Sequence, residues 1–211
     1  MIIPGIVATL GGDAPPVQSG DWTTDELYTG QSFGSDSLNN TWPGNTFYES
    51  ACMQIIFPVA KLTGAGMPSG AIIKAVSIWP TEVPGRDCDS FTFDFKNTAD
   101  ATVSSIQALT GVTTGLRLTG GVAITGWTIG DWNRYAMTDN DFVWNGTDNM
   151  FMSIYRDIAD GYSSGGLTRI LTGGGTSGQF WGYRKDNELY PDVDTSYDYN
   201  HGTNLLQVKV E

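Results

Sequence analysis

The 211-residue chain is poor in basic residues, with 11 Lys plus Arg against 23 Asp plus Glu and a net charge of −12. A surface this acidic argues against binding nucleic acid through its phosphates. Charged residues amount to only 16%, against roughly 25% in an average soluble domain. Histidine occurs once, at His201, and cysteine twice, at Cys52 and Cys88. A zinc site needs several such ligands at short spacing, and neither cysteine has a partner at that spacing. Two cysteines are too few for a disulfide framework, which leaves either two buried free thiols or one bridge. No apolar run approaches the roughly 18 residues of a membrane span, so no membrane insertion is expected. The Ala, Glu, Lys, Leu and Arg enrichment of a coiled coil is missing as well.

Glycine and aromatic residues are abundant instead: 27 Gly, with 12% aromatics that include 7 Trp, 9 Tyr and 9 Phe. Such a chain can bury enough surface to offset its conformational entropy, which excludes disorder. The length fits one domain, since all-β units often reach roughly 200 residues.

Residues 1–50 differ from the rest. The apolar start, Met1 to Leu10, lacks a basic n-region and is broken by Pro4 and Gly5, which does not fit a signal peptide. Without a secretory signal, the glycosylation patterns at Asn39 and Asn145 carry little meaning. Gly11-Gly12-Asp13-Ala14-Pro15-Pro16 and a polar stretch without periodicity follow. Residues 1–50 therefore read as an extended N-terminal arm and irregular segment. Its apolar tip (Ile2, Ile3, Pro4, Ile6, Val7 and Leu10) would be a liability in water and is expected to dock on its own sandwich, a symmetry mate or a larger assembly. The competing reading is an N-terminal strand of the same domain.

Residues 51–211 read as a β-sandwich domain. Cys52 to Phe57 ends at Pro58 and Ala71 to Trp79 ends at Pro80, β-rich runs closed by a residue that cannot donate to a ladder. Phe91, Phe93 and Phe95 alternate with Thr92, Asp94 and Lys96, the period of a half-buried strand. Further strands are expected over Val122 to Ile129, Asn149 to Tyr155, Leu167 to Leu171, Gln179 to Arg184 and Leu205 to Val210. The one expected helix is Ala99 to Leu109. Gly clusters separate the runs, as in a sandwich or barrel.

No reaction centre stands out, and no catalytic residue is assigned. His201 lies in a turn-like acidic stretch with no Gly-x-Ser-x-Gly elbow before it. The glycines at 173–175 lack the lysine of a phosphate-binding loop. Asp139, Asp141 and Asp148 form an oxygen-rich group that could hold Ca2+, although they do not follow the calcium-loop pattern. Solvated acidic loops explain them equally. Trp181, Tyr183, Arg184, Tyr190, Tyr197 and Tyr199 are candidates for ligand binding, because aromatic faces stack on sugars while polar neighbours receive hydroxyls. They suit a protein interface or core packing equally well.

Two stretches resemble known families. Ile3-Pro4-Gly5-Ile6-Val7-Ala8 is similar to the opening of many tailed-bacteriophage structural proteins. Gly126-Trp127, Gly130 to Tyr135, Phe142 to Ile154 and Asp157, with Ala71 to Trp79 before them, resemble the jelly-roll module of bacterial adhesins. The resemblances imply an all-β, jelly-roll-like sandwich in a virion structural protein of tail-fibre or capsid-decoration type. Other virion proteins and host cell-surface glycan would be its partners. Assembly in the host cytoplasm and a homo-oligomer, a trimer by analogy, are implied too. The alternatives are a bacterial carbohydrate-binding or adhesion module at the cell surface and, third, a glycan hydrolase.

Overall fold

In the computed structural model, residues 48–78, 80, 82–159, 181–193 and 195 are described in full, with 44 and 46; at 33–37, 169–171, 180, 199–200, 205–206 and 208–210 only the backbone is described. Among the described residues twelve strands follow in order: β1 Phe33–Ser37, β2 Ser50–Phe57, β3 Ala75–Ile78, β4 Cys88–Thr98, β5 Thr113–Val122, β6 Asn133–Ala136, β7 Asn149–Asp157, β8 Arg169–Leu171, β9 Phe180–Lys185, β10 Tyr199–Asn200, β11 Leu205–Leu206 and β12 Val208–Val210. A short helix, α1 Val59–Gly64, follows β2. A six-stranded sheet runs β10-β9-β2-β7-β4-β5, and two three-stranded sheets run β12-β3-β6 and β1-β8-β11. Every pairing is antiparallel. The fold is an all-β sandwich.

The main core lies between the six-stranded sheet and the β12-β3-β6 sheet. Alternation along β2, β4 and β7 sends Met53, Ile55, Phe57, Phe91, Phe93, Phe95, Met150, Met152 and Ile154 into one cluster with Val76 and Ile78 of β3. Tyr135 of β6 closes it, its ring 5.5 Å from Phe91 and 5.2 Å from Phe93. Phe95 stacks on Phe142 at 5.4 Å. Each fully buried large side chain contributes roughly 1.5–3 kcal/mol.

The opposite face of the six-stranded sheet is also covered. Cys52, Ile56, Phe151, Tyr155 and Tyr183 pack there with Val103, Ile106 and Leu109, while Tyr190 and Val193 pack at its margin. This double cover explains why every residue of β2 is buried. Residues 99–112, expected to include a helix, are irregular. Thr102, Val103 and two serines favour helix poorly, and the three-residue spacing of Val103, Ile106 and Leu109 instead lays apolar groups on the sheet.

Other boundaries differ from expectation. The run expected as a strand over 122–129 leaves β5 at Val122 and turns through a 3-10 segment, Ile124–Gly126. Ile124 and Trp127 are both buried, and Trp127 N donates to Ile124 O at 3.2 Å. A three-residue spacing between buried side chains suits that turn and not a strand. β1 falls within residues 1–50 and pairs with β8. The C-terminal run divides between two sheets, β11 pairing with β8 and β12 with β3. Ile2, Ile3, Pro4, Ile6, Val7 and Leu10 lie outside the described residues. Both cysteines are free thiols.

Candidate functional site

The second face of the six-stranded sheet concentrates the polar chemistry. Register aligns Trp181, Gln54, Ser153, Asp94 and Thr114 in one row across β9, β2, β7, β4 and β5. The next row holds Tyr183, Cys52, Tyr155, Thr92 and Arg117, and the third Lys185, Ser50, Asp157, Ser90 and Thr119. Gln54, Ser153, Thr92 and Asp94 are all fully buried. Buried polar groups need partners, and two covering segments supply many of them.

The first cover is the irregular stretch 99–112. Gln54 Nε2 donates to Gln107 O at 2.6 Å, and Gln107 N donates to Gln54 Oε1 at 2.7 Å. Lys96 Nζ donates to Gln107 Oε1 at 2.9 Å and lies 4.6 Å from the centre of the Phe151 ring. The second cover is 186–193. Tyr190 OH donates to Asp94 Oδ1 at 3.0 Å, and Tyr190 N donates to Asp157 Oδ2 at 3.3 Å. Tyr155 OH donates to Asp192 O at 3.1 Å. Thr114 Oγ1 donates to Asp94 Oδ1 at 2.7 Å, and Ser90 Oγ to Asp157 Oδ2 at 2.7 Å. The Arg117 guanidinium sits 4.4 Å from the Tyr190 ring centre.

Burial dominates the electrostatics. Desolvation pushes the Asp94 carboxyl up to about 6, although the Thr114 and Tyr190 hydrogen bonds and the Arg117 charge favour its ionised form. Asp157 is raised by desolvation too. Cys52, whose Sγ lies 3.3 Å from Ser153 Oγ, is pushed up to about 12 by burial and is no nucleophile at neutral pH. On the sandwich face, Arg156 is fully buried and lowered to about 10 by desolvation. Its Nη1 donates to Tyr48 O at 2.6 Å and Glu49 O at 3.0 Å, fixing the chain as it enters β2.

The structure brings together three of the six candidate ligand-binding residues. Trp181, Tyr183 and Tyr190 share the second face, whereas Arg184 alternates to the other, its guanidinium 4.6 Å from the Tyr48 ring centre. Tyr183 is fully buried and its hydroxyl donates to Glu188, so its ring is core and not an open stacking platform. Tyr199 enters β10 opposite Gly182, and Tyr197 lies outside the described residues.

The calcium candidates do not assemble. Among the described residues no three His, Cys, Asp or Glu side chains group closely enough to hold a metal ion. Each carboxylate is engaged locally instead. Asp139 Oδ2 accepts from Arg117 N at 2.7 Å, Asp141 Oδ1 from Lys74 Nζ at 3.0 Å, and Asp148 Oδ2 from Asn145 Nδ2 at 2.7 Å. Asp139 N also donates to Gly115 O, and Asn140 Nδ2 to Thr114 O.

The buried Asp157 is opposite Ser90 on β4, four residues from Asp94, which puts their backbone positions about 13 Å apart along the strand at ~3.3 Å per residue. An open cleft of about 300 Å³ lies beside the second cover, lined by Glu49, Ile158, Ala159, Asn187, Glu188 and Leu189. Glu49 Oε2 accepts from Asn187 N at 2.6 Å and Glu188 Oε1 from Lys185 Nζ at 2.7 Å, so both acids hold the segment in place. No family model, curated protein or solved structure matches the chain.

The Asp94–Tyr190 centre was missed by sequence reasoning. A single polar residue inside the Phe91-x-Phe93-x-Phe95 alternation looks solvent-facing, and only the apolar triplet in 99–112 hints that this face is covered.

Proposed function

We propose that the protein is a structural component of a tailed-bacteriophage particle. In this reading its N-terminal arm anchors a β-sandwich displayed for host-surface binding or for decoration of capsid or tail. The observation that carries the reading is the double cover of the six-stranded sheet. Gln54 ties residues 99–112 to the sheet and Val103, Ile106 and Leu109 pack on it, which makes a stiff body suited to display. The apolar arm and the resemblance of Ile3 to Ala8 to virion proteins supply the particle context. Attachment would be non-covalent, through burial of Ile2, Ile3, Ile6, Val7 and Leu10 in a neighbour.

Mass spectrometry of purified particles from the source phage tests the location, and deletion of residues 1–12 tests the anchor. The truncated chain is expected to fold, by circular dichroism, yet be missing from particles. Normal incorporation of the truncated chain would refute the anchoring role. Absence of the intact protein from particles would refute the virion reading.

A further inference from the structure

The second cover is held differently from the rest of the fold. Within 186–193, Asn187, Leu189, Pro191 and Asp192 are exposed, and only Tyr190 and Val193 pack on the sheet's second cluster. Apart from its ties to Glu49 and to β9, the segment is fixed by Tyr190, whose hydroxyl meets Asp94 and Thr114 and whose ring meets Tyr155 and Arg117, and by the Asp192 carbonyl. Two of the Tyr190 contacts end on buried carboxylates, Asp94 at the hydroxyl and Asp157 at the backbone nitrogen. Asp94 is fully buried; its Oδ1 accepts two O–H donors while its Oδ2 has no hydrogen-bond partner among the described residues. Ionised, that carboxylate would leave a charged oxygen buried and unsatisfied, at a cost that water could remove only if the cover lifted.

We propose that residues 186–193 are a pH-responsive strap, closed over the sheet while Asp94 carries a proton and loosened once Asp94 is ionised.

The groups facing Asp94 are few. From β5 come Thr114 and the partly offsetting charge of Arg117; from the strap, the Tyr190 hydroxyl. From β7 comes Ser153, flanked on its face by Phe151 and Tyr155 with Asp157 beyond, and β4 itself presents Thr92 and Lys96 on either side. The other strap acids are held elsewhere or exposed: Asp186 accepts from Glu49 N, Glu188 from Lys185 and Tyr183, and Asp192 faces solvent. Asp157 Oδ2 is also a strap contact, its Oδ1 has no hydrogen-bond partner among the described residues and burial raises it too, so it is expected to add to the same response.

The direction follows from linkage. With the strap closed, Asp94 keeps its proton up to about pH 6, against 3.8 for a free aspartate. Closure is therefore strongest below pH 3.8 and weakens as pH rises to about 6. The opening constant rises by up to about 100-fold, tenfold for each pH unit between the two values.

Hydrogen exchange of the full chain, followed by mass spectrometry and corrected for intrinsic rates, tests this between pH 4.5 and 7.5. Protection of 186–193 in the wild type is expected to fall by at least tenfold over that range, while β2 and β7 stay protected. Asp94→Asn, which cannot ionise, is expected to lose most of the slope, and Asp94→Asn combined with Asp157→Asn to flatten it. Tyr190→Phe removes a donor that favours the ionised carboxylate without altering the sheet, and is expected to raise exchange most at high pH, steepening the profile. A wild-type profile that stays flat would overturn the proposal. So would an unchanged slope in Asp94→Asn, or a slope abolished by Asp157→Asn alone. If Asp94→Asn does not fold, an unchanged slope in Tyr190→Phe overturns it equally.

Discussion

Gly146 lies in a loop that a single methyl group would break. Its φ is +80°, and a Cβ built there would stand 2.4 Å from both Cβ and Oγ of Ser69 and 2.9 Å from the Ser69 Cα. Carbon atoms rest about 3.5–4.0 Å apart, so the loop or residue 69 must shift. Neither is free to do so. Asn145 Oδ1 accepts from Thr147 N at 3.0 Å and Asp148 N at 2.9 Å, and Ser69 Oγ donates to Asn145 O at 2.9 Å. The fully buried Trp144 donates its indole N–H to Asp148 O at 2.7 Å. Gly146→Ala should combine about 1–2 kcal/mol for an L-residue in the left-handed region with about 1–3 kcal/mol of overpacking. Gly120 separates these effects: its φ is +83° and nothing lies within 4 Å of its built Cβ. Gly120→Ala should therefore cost the backbone part alone. Urea unfolding at constant m value measures both variants. Ser69→Gly combined with Gly146→Ala removes two of the three close contacts, and the double-mutant cycle should show about 1–2 kcal/mol of favourable coupling. Equal losses for the two alanine variants, or no coupling, would show that the contact with Ser69 does not constrain the loop.

Three other outcomes follow from burial on the two faces of the sheet. The folded chain should be more stable at pH 4.5 than at pH 7.5, because the raised Asp94 value gives stability that is complete below 3.8 and lost by about 6; the effect is about 2–3 kcal/mol, and urea unfolding of Asp94→Asn should lack most of it. Gln54→Leu removes both hydrogen bonds to Gln107 and should cost about 2–3 kcal/mol, with proteolysis of the native protein moving into 99–112. Cys52 and Cys88, both buried and raised to about 12, should resist a thiol reagent in the native protein, and both should react in urea.

Sequence pattern revealed the elements whose apolar residues run together. β2, β7 and β9 were legible as β-rich runs, and β4 through the alternation of Phe91, Phe93 and Phe95. β5 was not, because Thr113-Thr114-Gly115-Leu116-Arg117-Leu118-Thr119-Gly120-Gly121 mixes strand formers with glycines that read as turn signals. The site was harder to see. Local pattern reports one neighbour per face, and it assigns Thr92 and Asp94 to solvent because they alternate with Phe91, Phe93 and Phe95. That a second layer covers them depends on Tyr190, 96 residues beyond Asp94, a pairing with no local signature. The acids that looked like ligands in sequence are distributed by the fold as separate hydrogen-bond acceptors.

β5 is an outer strand of the largest sheet, and its free side is already taken. Asp139 and Asn140 occupy the carbonyls of Gly115 and Thr114 and the N–H of Arg117. Those are the groups that would otherwise recruit a strand from another molecule. Asp139, which in sequence looked like half a metal site, therefore acts as a stop to sheet growth. Many copies of this chain can be crowded together without their largest sheets merging along that stretch of edge.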